Sequence, residues 1–372
     1  MFLQKLKLTN FKNYDSLALD FTARVTAFVG SNGVGKTNLL DAIYYLCMTK
    51  SYFPISDTDV ISKGTDFLRL EGDFSDDDNL ILNIAAKAQP RKKKIFERNG
   101  VVYETLSEHI GLIPVVMLAP DDTELIKEGS EARRRFLDNT LSQLDCDYLR
   151  NLLTYNKLLE QRNAALKNLA DAMHYSADNI ESLLSVYEQQ MLPCALYIYE
   201  KRLKFIADFT PIFNRFYNFI AGAAEKISIV YDSCLLKQDL KNIWLDTRSK
   251  DIILHRTTQG IHRDDVNFTL DDKPLKRFGS QGQLKSFITA LKLAQFEMLK
   301  QNKKTTPILL LDDIFDKFDA HRLKNLLILL ESGKYGQIFL SDTHIERIHD
   351  LQNLLKQPMQ IFKVNKGVIS IH

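Results

Sequence analysis

The sequence has 372 residues, 45% of them hydrophobic and 26% charged, which is enough for a large core in one big domain or two ordinary ones. The formal net charge is only +2, which excludes a polycation, so nucleic acid would have to be bound by a local basic patch. The four cysteines lack metal-ligand spacing, the N-terminus does not resemble a signal peptide, and no apolar run approaches the ~18 residues of a membrane span. We therefore expect a soluble, cytoplasmic protein without a membrane partner.

The first third of the chain has the pattern of β-structure interrupted by one helix. We predict strands over residues 2–8, 16–21, 25–29, 67–74, 80–88, 94–98, 101–103 and 115–118, and a helix over residues 38–48. Asn99-Gly100 lies between two of these strands and is a strong hairpin signal. The run at residues 25–29 is apolar and β-branched, which is typical of a buried strand.

The middle of the chain, from about residue 123 to residue 219, is helical in pattern and almost free of glycine. Two sets of mainly apolar residues recur at intervals of three and four residues and so form two stripes, with turn residues at 176–179 between them. The first is Leu152, Tyr155, Leu159, Arg162, Leu166 and Leu169, and the second is Ile180, Leu184, Tyr187 and Met191. The stripes predict two antiparallel helices, either as an arm or as an ordinary helical subdomain.

The β-pattern returns from residue 228. We predict strands over residues 268–270, 308–311 and 338–340, and helices over residues 280–300 and 320–330. The α/β pattern at both ends predicts a head domain that is split in sequence, with residues 1–120 and 228–372 forming the head and residues 121–227 the inserted arm. The expected fold class is α/β, with a mixed or parallel sheet, flanking helices and an antiparallel β-subdomain.

A glycine-rich loop is the most informative motif. Residues 30–37 (GSNGVGKT) fit G-x-x-x-x-G-K-[ST], after a predicted buried strand and before a helix. The glycines let several backbone N–H groups point at one phosphate, Lys36 would reach the β- and γ-phosphates of ATP, and Thr37 would offer a hydroxyl to Mg²⁺. The candidate ATP-binding residues are Gly30, Ser31, Asn32, Gly33, Val34, Gly35, Lys36, Thr37 and Asn38.

Two carboxylates follow the predicted strand at residues 308–311. An aspartate at the end of a buried strand can hold Mg²⁺, and the next acid can polarise the attacking water. We therefore assign Asp312 to Mg²⁺, together with Thr37, and Asp313 to water activation. Lys36 and Asp313 are candidate catalytic residues.

A second helix start that suits an anion lies at residues 280–283. Ser280-Gln281-Gly282-Gln283 offers a cap hydroxyl and the N–H groups of a helix N-terminus, although a plain N-cap would have the same residues. Because the glycine loop already supplies a phosphate site, a natural use for this one is to bind the γ-phosphate held by another subunit.

The order of these motifs resembles the ATP-binding-cassette (ABC) ATPases and, more specifically, the RecF family of bacterial recombination mediators. The matching segments cover the whole chain in the family's order. They are residues 8–14 (LTNFKNY), 119–122 (APDD), 133–138 (RRRFLD), 262–265 (HRDD), 280–283 (SQGQ) and 311–313 (LDD).

The resemblance implies a head like that of the structural-maintenance-of-chromosomes (SMC) proteins, which binds ATP, forms a homodimer on it, hydrolyses it slowly and binds single-stranded, gapped or junction DNA. It implies that RecO and RecR are partners, that RecA is loaded, and that the SOS response is supported. Ser280 and Gln283 would contact the partner's γ-phosphate, Asp316 and Asp319 would face the dimer seam, and His344 would sense the γ-phosphate as a catalytic residue.

The sequence departs from the ABC pattern at two places. Asp313 stands where a glutamate is usual, and a shorter acid would hold water less closely, which agrees with slow turnover. No glutamine stands near residue 118, so metal contacts from that loop are not expected. For His262, which lacks a second histidine at ligand spacing, we favour a salt-bridge network or a dimer-signalling loop over a metal cluster.

Two basic clusters are candidates for contact with DNA phosphates. The first comprises Arg91, Lys92, Lys93 and Lys94, with Lys87 and Arg98 nearby, and the second comprises Arg133, Arg134 and Arg135. The second could instead be structural, because its arginines could pair with Asp121 and Asp122. Two other protein classes remain as alternatives: the ATPase subunit of a membrane transporter and, less favoured, a P-loop kinase that acts on a small molecule.

Overall fold

The computed structural model describes residues 1–76, 80–171, 177–222, 225–313, 322, 325, 328–329, 331, 335–355 and 358–371. The strands are β1 (Phe2–Phe11), β2 (Tyr14–Asp20), β3 (Val25–Val29), β4 (Leu68–Ser75), β5 (Ile81–Ala88), β6 (Ile95–Arg98), β7 (Val101–Val102), β8 (Val115–Leu118), β9 (Ile227–Asp232), β10 (Asp265–Leu270), β11 (Lys273–Pro274), β12 (Ile308–Leu311), β13 (Ile338–Asp342), β14 (Met359–Asn365) and β15 (Val368–Ile371). The helices are α1 (Lys36–Met48), α2 (Glu124–Lys127), α3 (Ser130–Leu144), α4 (Cys146–Asp171), α5 (Ala177–Ala221), α6 (Leu240–Leu254), α7 (Leu275–Phe278), α8 (Gln281–Asn302) and α9 (Ile345–Leu355). Most of the predicted helix over residues 320–330, and both Asp316 and Asp319, lie outside the described residues.

The buried strands were the most accurately predicted elements. The predictions over residues 25–29, 115–118 and 308–311 coincide with β3, β8 and β12, whose residues are all buried. Strands that are buried on both faces are continuous apolar runs, so the first and last residues of such a strand can be recognised in the sequence. The predicted hairpin is also confirmed, since Asn99 (φ 50°) and Gly100 (φ 79°) join β6 to β7.

The chain divides into two compact units. The first comprises Met1–Thr123, Ile212–Ala224 and Ser280–His372, and the second comprises Glu124–Pro211 and Glu225–Gly279, so that α5 contributes to both. This division differs from the predicted one at residues 228–279, which are predicted in the head, and at residues 212–224, which are predicted in the arm. The reason for the first difference is that β9 and β10 pair with each other, and β10 with β11, in a separate three-stranded sheet.

The first unit contains two six-stranded sheets. One is antiparallel, in the order β2-β1-β4-β5-β6-β7, and the other has the order β15-β14-β3-β13-β12-β8, with all neighbours parallel except β14 and β15. Almost every residue of α1 is buried, and its apolar side chains belong to the core that both sheets share. Because β3, β12 and β13 run parallel, their carboxyl ends meet at one edge of the sheet, where ligands bind in open α/β folds.

The second unit contains α4 and the part of α5 up to Pro211, which run antiparallel as predicted, since Tyr148 lies beside Arg202 and Arg162 beside Glu188. Tyr155 and Leu166 of the predicted stripe are buried, and so is Arg162 between them. The Arg162 guanidinium pairs with Asp251 (2.8 Å) of α6 and with Glu188 (3.0 Å) of α5, which compensates its burial. In both units, no helix among the described residues has the length and apolar character needed to cross a bilayer.

Candidate functional site

The glycine-rich loop connects β3 to α1 at the carboxyl edge of the parallel sheet. Gly35 precedes the first residue of α1 with a left-handed backbone (φ 113°), and a Cβ there would lie 2.4 Å from Asn13 Nδ2. A Cβ on Gly30 would lie 2.2 Å from the Val364 carbonyl oxygen. Both positions therefore require glycine, and Gly35 has no side chain to cap α1, so the positive end of the helix is left for an anion.

Lys36 is largely buried and lies across this loop. Its Nζ donates hydrogen bonds to the carbonyl oxygens of Gly30 (2.6 Å) and Ser31 (2.9 Å). The ammonium group is thus held beside the backbone that would surround a phosphate. Ser31, Asn32 and Gly33 are exposed, and Val34 is buried.

The turn between β1 and β2 packs against the loop, a contact that the sequence did not predict. Asn13 Nδ2 donates to the Val34 carbonyl (3.3 Å), and the Tyr14 hydroxyl donates to the Gly35 carbonyl (3.1 Å). Asn38 Nδ2 in turn donates to Asn13 Oδ1 (2.6 Å). About twenty residues separate the turn from the loop, so no local signal in the sequence could have indicated this contact.

The two predicted Mg²⁺ ligands lie together. The Thr37 hydroxyl is 2.8 and 3.0 Å from the two carboxylate oxygens of Asp312. Ser341, at the end of β13, donates from Oγ to Asp312 Oδ1 at 2.6 Å. Burial raises the pKa of Asp312, while the hydrogen bonds from Ser341 and Thr37 act in the opposite direction. A carboxylate beside a hydroxyl is the oxygen ligand set that Mg²⁺ prefers.

Asp313 and His344 lie at the same edge. Asp313 has a left-handed backbone (φ 47°), and its Oδ1 is buried without a hydrogen-bond partner among the residues that the structure describes. Such an atom is suited to bind a water or an ion near Asp312. His344 follows β13, its side chain is exposed, and its N–H donates to Asp342 Oδ1 (2.6 Å). These positions agree with the predicted roles of both residues but do not test them.

The predicted N-cap at Ser280 is confirmed. Its Oγ accepts from the Gln283 N–H (3.2 Å), and the Gln283 side chain accepts from the Ser280 N–H (2.7 Å), which forms a capping box. Ser280 and Gln281 are exposed at the start of α8. Gly282 lies so close to Arg322 that a Cβ would be 2.5 Å from the guanidinium Nη1.

The first basic cluster divides into exposed and paired residues. Arg91, Lys92 and Lys93 are exposed, whereas Lys94 pairs with Asp57 (2.9 Å) and also donates to the Thr49 carbonyl (2.6 Å). Because Lys94 is held by these partners, it is less available to DNA than its three neighbours. Lys87, near this cluster in the sequence, likewise pairs with Glu97.

The second basic cluster is largely structural, which is one of the two alternatives that the sequence left open. Arg133 forms two hydrogen bonds with the Asp265 carboxylate (2.6 and 3.0 Å), and Arg134 donates to the Asp264 carbonyl (2.7 Å). Arg135 is exposed. The sequence left pairing with Asp121 and Asp122 open as one alternative, and the partners of Arg133 and Arg134 in the structure are the Asp265 carboxylate and the Asp264 carbonyl.

Asp122 accepts hydrogen bonds from the Tyr52 hydroxyl and the Ala119 N–H and pairs with Lys292 Nζ (3.0 Å) of α8. Both Asp122 and Lys292 are almost fully buried. The segment at residues 119–122 therefore connects the end of β8 to α8 and has a structural role in the first unit.

The segment at residues 262–265 forms the polar network that we favoured over a metal cluster. His262 Nδ1 accepts from the Tyr155 hydroxyl (2.8 Å), and its Nε2 donates to the Thr257 carbonyl (3.2 Å). Burial lowers the pKa of His262 to about 4, so the ring is neutral near pH 7. Asp264 pairs with the buried Arg202 (2.9 Å).

The parallel sheet, the glycine loop at its carboxyl edge and the two carboxylates after β12 define an ATPase head of the ABC type. Residues 2–370 match the family model described as the RecF/RecN/SMC N terminal domain. The DNA replication and repair protein RecF of Flavobacterium johnsoniae is 43% identical and aligns over 98% of this chain and 100% of its own. The RecF of Bacteroides thetaiotaomicron is 40% identical over 100% and 98% of the two chains. The chain belongs to the RecF family.

Solved structures agree with this assignment. The structure described as the recombination mediator protein RecF-ATP in the RecFOR pathway has a TM-score of 0.89 and 26% identity, and covers 100% of this chain and 97% of that one. An Smc head domain from Pyrococcus furiosus, at 17% identity over 100% and 96% of the chains, has a TM-score of 0.57 and supports the fold alone. The family favours the DNA-repair interpretation over the transporter and kinase alternatives.

Proposed function

We propose that this protein is an ATP-switched homodimer that binds DNA during recombinational repair and replication, with slow hydrolysis of ATP as the step that opens it. The observation that carries the proposal is the contact between the Thr37 hydroxyl and the Asp312 carboxylate, 275 positions apart in sequence, beside the glycine loop. The solved RecF structures described with ATP and with ATPrS support ATP as the nucleotide.

The residues present suit ATP with Mg²⁺. Gly30 and Gly35 permit the close packing and left-handed turn of the loop, Lys36 supplies a positive charge, and Thr37 and Asp312 would hold Mg²⁺. The bound metal would neutralise charge on the β- and γ-phosphates. The Asp313 carboxylate, whose buried Oδ1 has no hydrogen-bond partner among the described residues, would accept a proton from the water that attacks the γ-phosphorus.

The dimer interface in this proposal includes the start of α8. In the capping box, Ser280 Oγ acts as an acceptor, so its hydroxyl hydrogen remains able to donate to a phosphate oxygen of the partner's ATP. Gln283, in the same turn of the helix, would also contact the partner's γ-phosphate, and the exposed His344 would approach the γ-phosphate. Asp316 and Asp319 are proposed for the same interface on the family pattern alone.

The proposed DNA contacts are the exposed members of the basic clusters, namely Arg91, Lys92, Lys93, Arg98 and Arg135. Such contacts neutralise phosphates and do not read base sequence. The affinity for DNA should therefore fall steeply as the salt concentration rises and should depend little on base sequence. RecO and RecR are proposed as partners, in agreement with the solved structure described as part of the RecFOR pathway. Loading of RecA and a role in the SOS response follow from the same proposal.

Removing two exposed lysines should measurably weaken DNA binding. We expect the Lys92→Ala/Lys93→Ala variant to bind single-stranded DNA about tenfold more weakly at moderate salt, with a salt slope lower by about 1.4, since each phosphate contact contributes ~0.7. The measurement is fluorescence anisotropy with ATP and Mg²⁺ over a salt series.

The matched control is Lys63→Ala/Lys304→Ala, which removes the same charge from exposed positions outside the clusters. If both double variants bind alike, or if the Lys92→Ala/Lys93→Ala variant keeps the wild-type slope, the first cluster does not contact DNA.

A further inference from the structure

Ser341 connects the two carboxylates of the site. It is fully buried at the end of β13, which lies between β3 and β12 in the parallel sheet. Its Oγ donates to Asp312 Oδ1 (2.6 Å) and accepts from the Asp313 N–H (3.0 Å). The Ser341 hydroxyl thus donates its one hydrogen to the carboxylate of Asp312 and accepts a hydrogen bond from the backbone of Asp313.

The backbone of Asp313 requires such support. Its φ of 47° lies in the left-handed region, which costs free energy for most residues and is tolerated best by glycine, asparagine and aspartate. The hydrogen bond from its N–H to Ser341 Oγ stabilises this conformation, in which Oδ1 is buried. Aspartate tolerates a positive φ better than the longer glutamate does.

The neighbouring backbone extends this connection. Asp342, the residue after Ser341, accepts the Gly30 N–H on its carbonyl (3.2 Å) and the His344 N–H on its side chain (2.6 Å). The end of β13 therefore contacts the glycine loop, both carboxylates and the segment of His344 within two residues.

We propose that Ser341 is a positioning residue for this site: it orients Asp312 toward the metal and fixes the left-handed backbone that aims the Asp313 carboxylate at the attacking water. This inference rests on the proposed ATPase function. Ser341 itself does not touch ATP or metal in this account and acts through the two carboxylates. Substituting a residue that orients a metal ligand in this way typically lowers metal affinity or activity by about 10–100-fold.

The test compares nucleotide affinity with and without metal. The affinity of wild type, Ser341→Ala and Ser341→Thr for ATPγS is measured in Mg²⁺ and in EDTA, and the ratio of the two is the metal-dependent gain. We expect Ser341→Ala to lower this gain about tenfold while leaving the affinity in EDTA within about twofold of wild type. Ser341→Thr keeps the hydroxyl and should restore most of the gain.

Thr26→Val is the matched control, because Thr26 is a fully buried β3 residue whose hydroxyl has no hydrogen-bond partner within the described part of the chain. It should change neither affinity. A second readout is the rate of hydrolysis: Ser341→Ala should lower it about tenfold in the otherwise wild-type protein, and by a smaller factor in an Asp313→Asn background, where the part that acts through Asp313 is already lost.

The possible outcomes separate the inference from the function on which it rests. If wild type shows a metal-dependent gain and Ser341→Ala retains it, or if Ser341→Thr is no better than Ser341→Ala, the positioning role is overturned while the ATPase proposal stands. If wild type itself shows no metal-dependent gain, the ATPase proposal is overturned first, and the inference with it.

Discussion

Replacing Asp313 with asparagine is expected to lower the rate of ATP hydrolysis about 100-fold or more, while the affinity for ATP stays close to that of wild type. Asparagine tolerates the left-handed backbone (φ 47°) as aspartate does, so the substitution removes the charge and leaves the conformation. The lost group is the proton acceptor for the attacking water. Phosphate release under single-turnover conditions, together with ATP binding, measures both quantities.

Asp312→Asn provides the comparison for this variant. It should weaken binding in Mg²⁺ as well as hydrolysis, because Asp312 lies against Thr37 in the proposed metal site. An Asp313→Asn variant with undiminished hydrolysis would refute the assignment of Asp313 to water activation. A variant that loses ATP affinity as Asp312→Asn does would indicate that Asp313 is a metal ligand instead.

The Gly35→Ala substitution should reduce ATP affinity about 100-fold, since displacing a binding group by about 1 Å can have an effect of this size. Alanine is strained at φ 113°, and its Cβ would also overlap Asn13 Nδ2 (2.4 Å) and the Tyr14 hydroxyl (2.8 Å). Either the loop or the β1–β2 turn must shift, and both border the proposed phosphate site. Isothermal titration with ATPγS measures the loss.

Gly100→Ala isolates the effect of backbone strain alone. Gly100 has a φ of 79° in the β6–β7 hairpin, and the space around a Cβ there is open. This variant should lose about 1 kcal/mol of unfolding free energy and no ATP affinity. If Gly35→Ala binds ATP as tightly as Gly100→Ala does, the contact between the turn and the loop has no part in nucleotide binding.

The features that the sequence predicted well are those encoded locally. The glycine loop, the hairpin at Asn99-Gly100 and the strands β3, β8 and β12 each carry their signal within about eight neighbouring residues. The N-cap at Ser280 is of the same kind, since its partner Gln283 is three residues away. Local chemistry therefore sufficed to place the main motifs at the ends of the correct elements.

The features that it missed depend on distant partners. Strand β14 pairs in parallel with β3, more than 300 residues earlier, and its short alternating sequence does not indicate that partner. The position of Ser341 between Asp312 and Asp313 follows only when β13 lies beside β12. Residues 225–279 contain the strands β9 to β11 and also the helix α6, which we did not predict, and such a mixed pattern would look the same in either unit.

The most direct test of the proposed ATP-switched dimer is sedimentation of the purified protein with and without ATP and Mg²⁺, beside a Ser280→Arg variant. Ser280 is exposed at the start of α8, so the substitution should leave the fold and ATP binding intact while blocking the contact with the partner's γ-phosphate. We predict that ATP converts wild type from monomer to dimer and that Ser280→Arg binds ATP but stays monomeric. A wild type that remains monomeric with ATP bound would contradict the account.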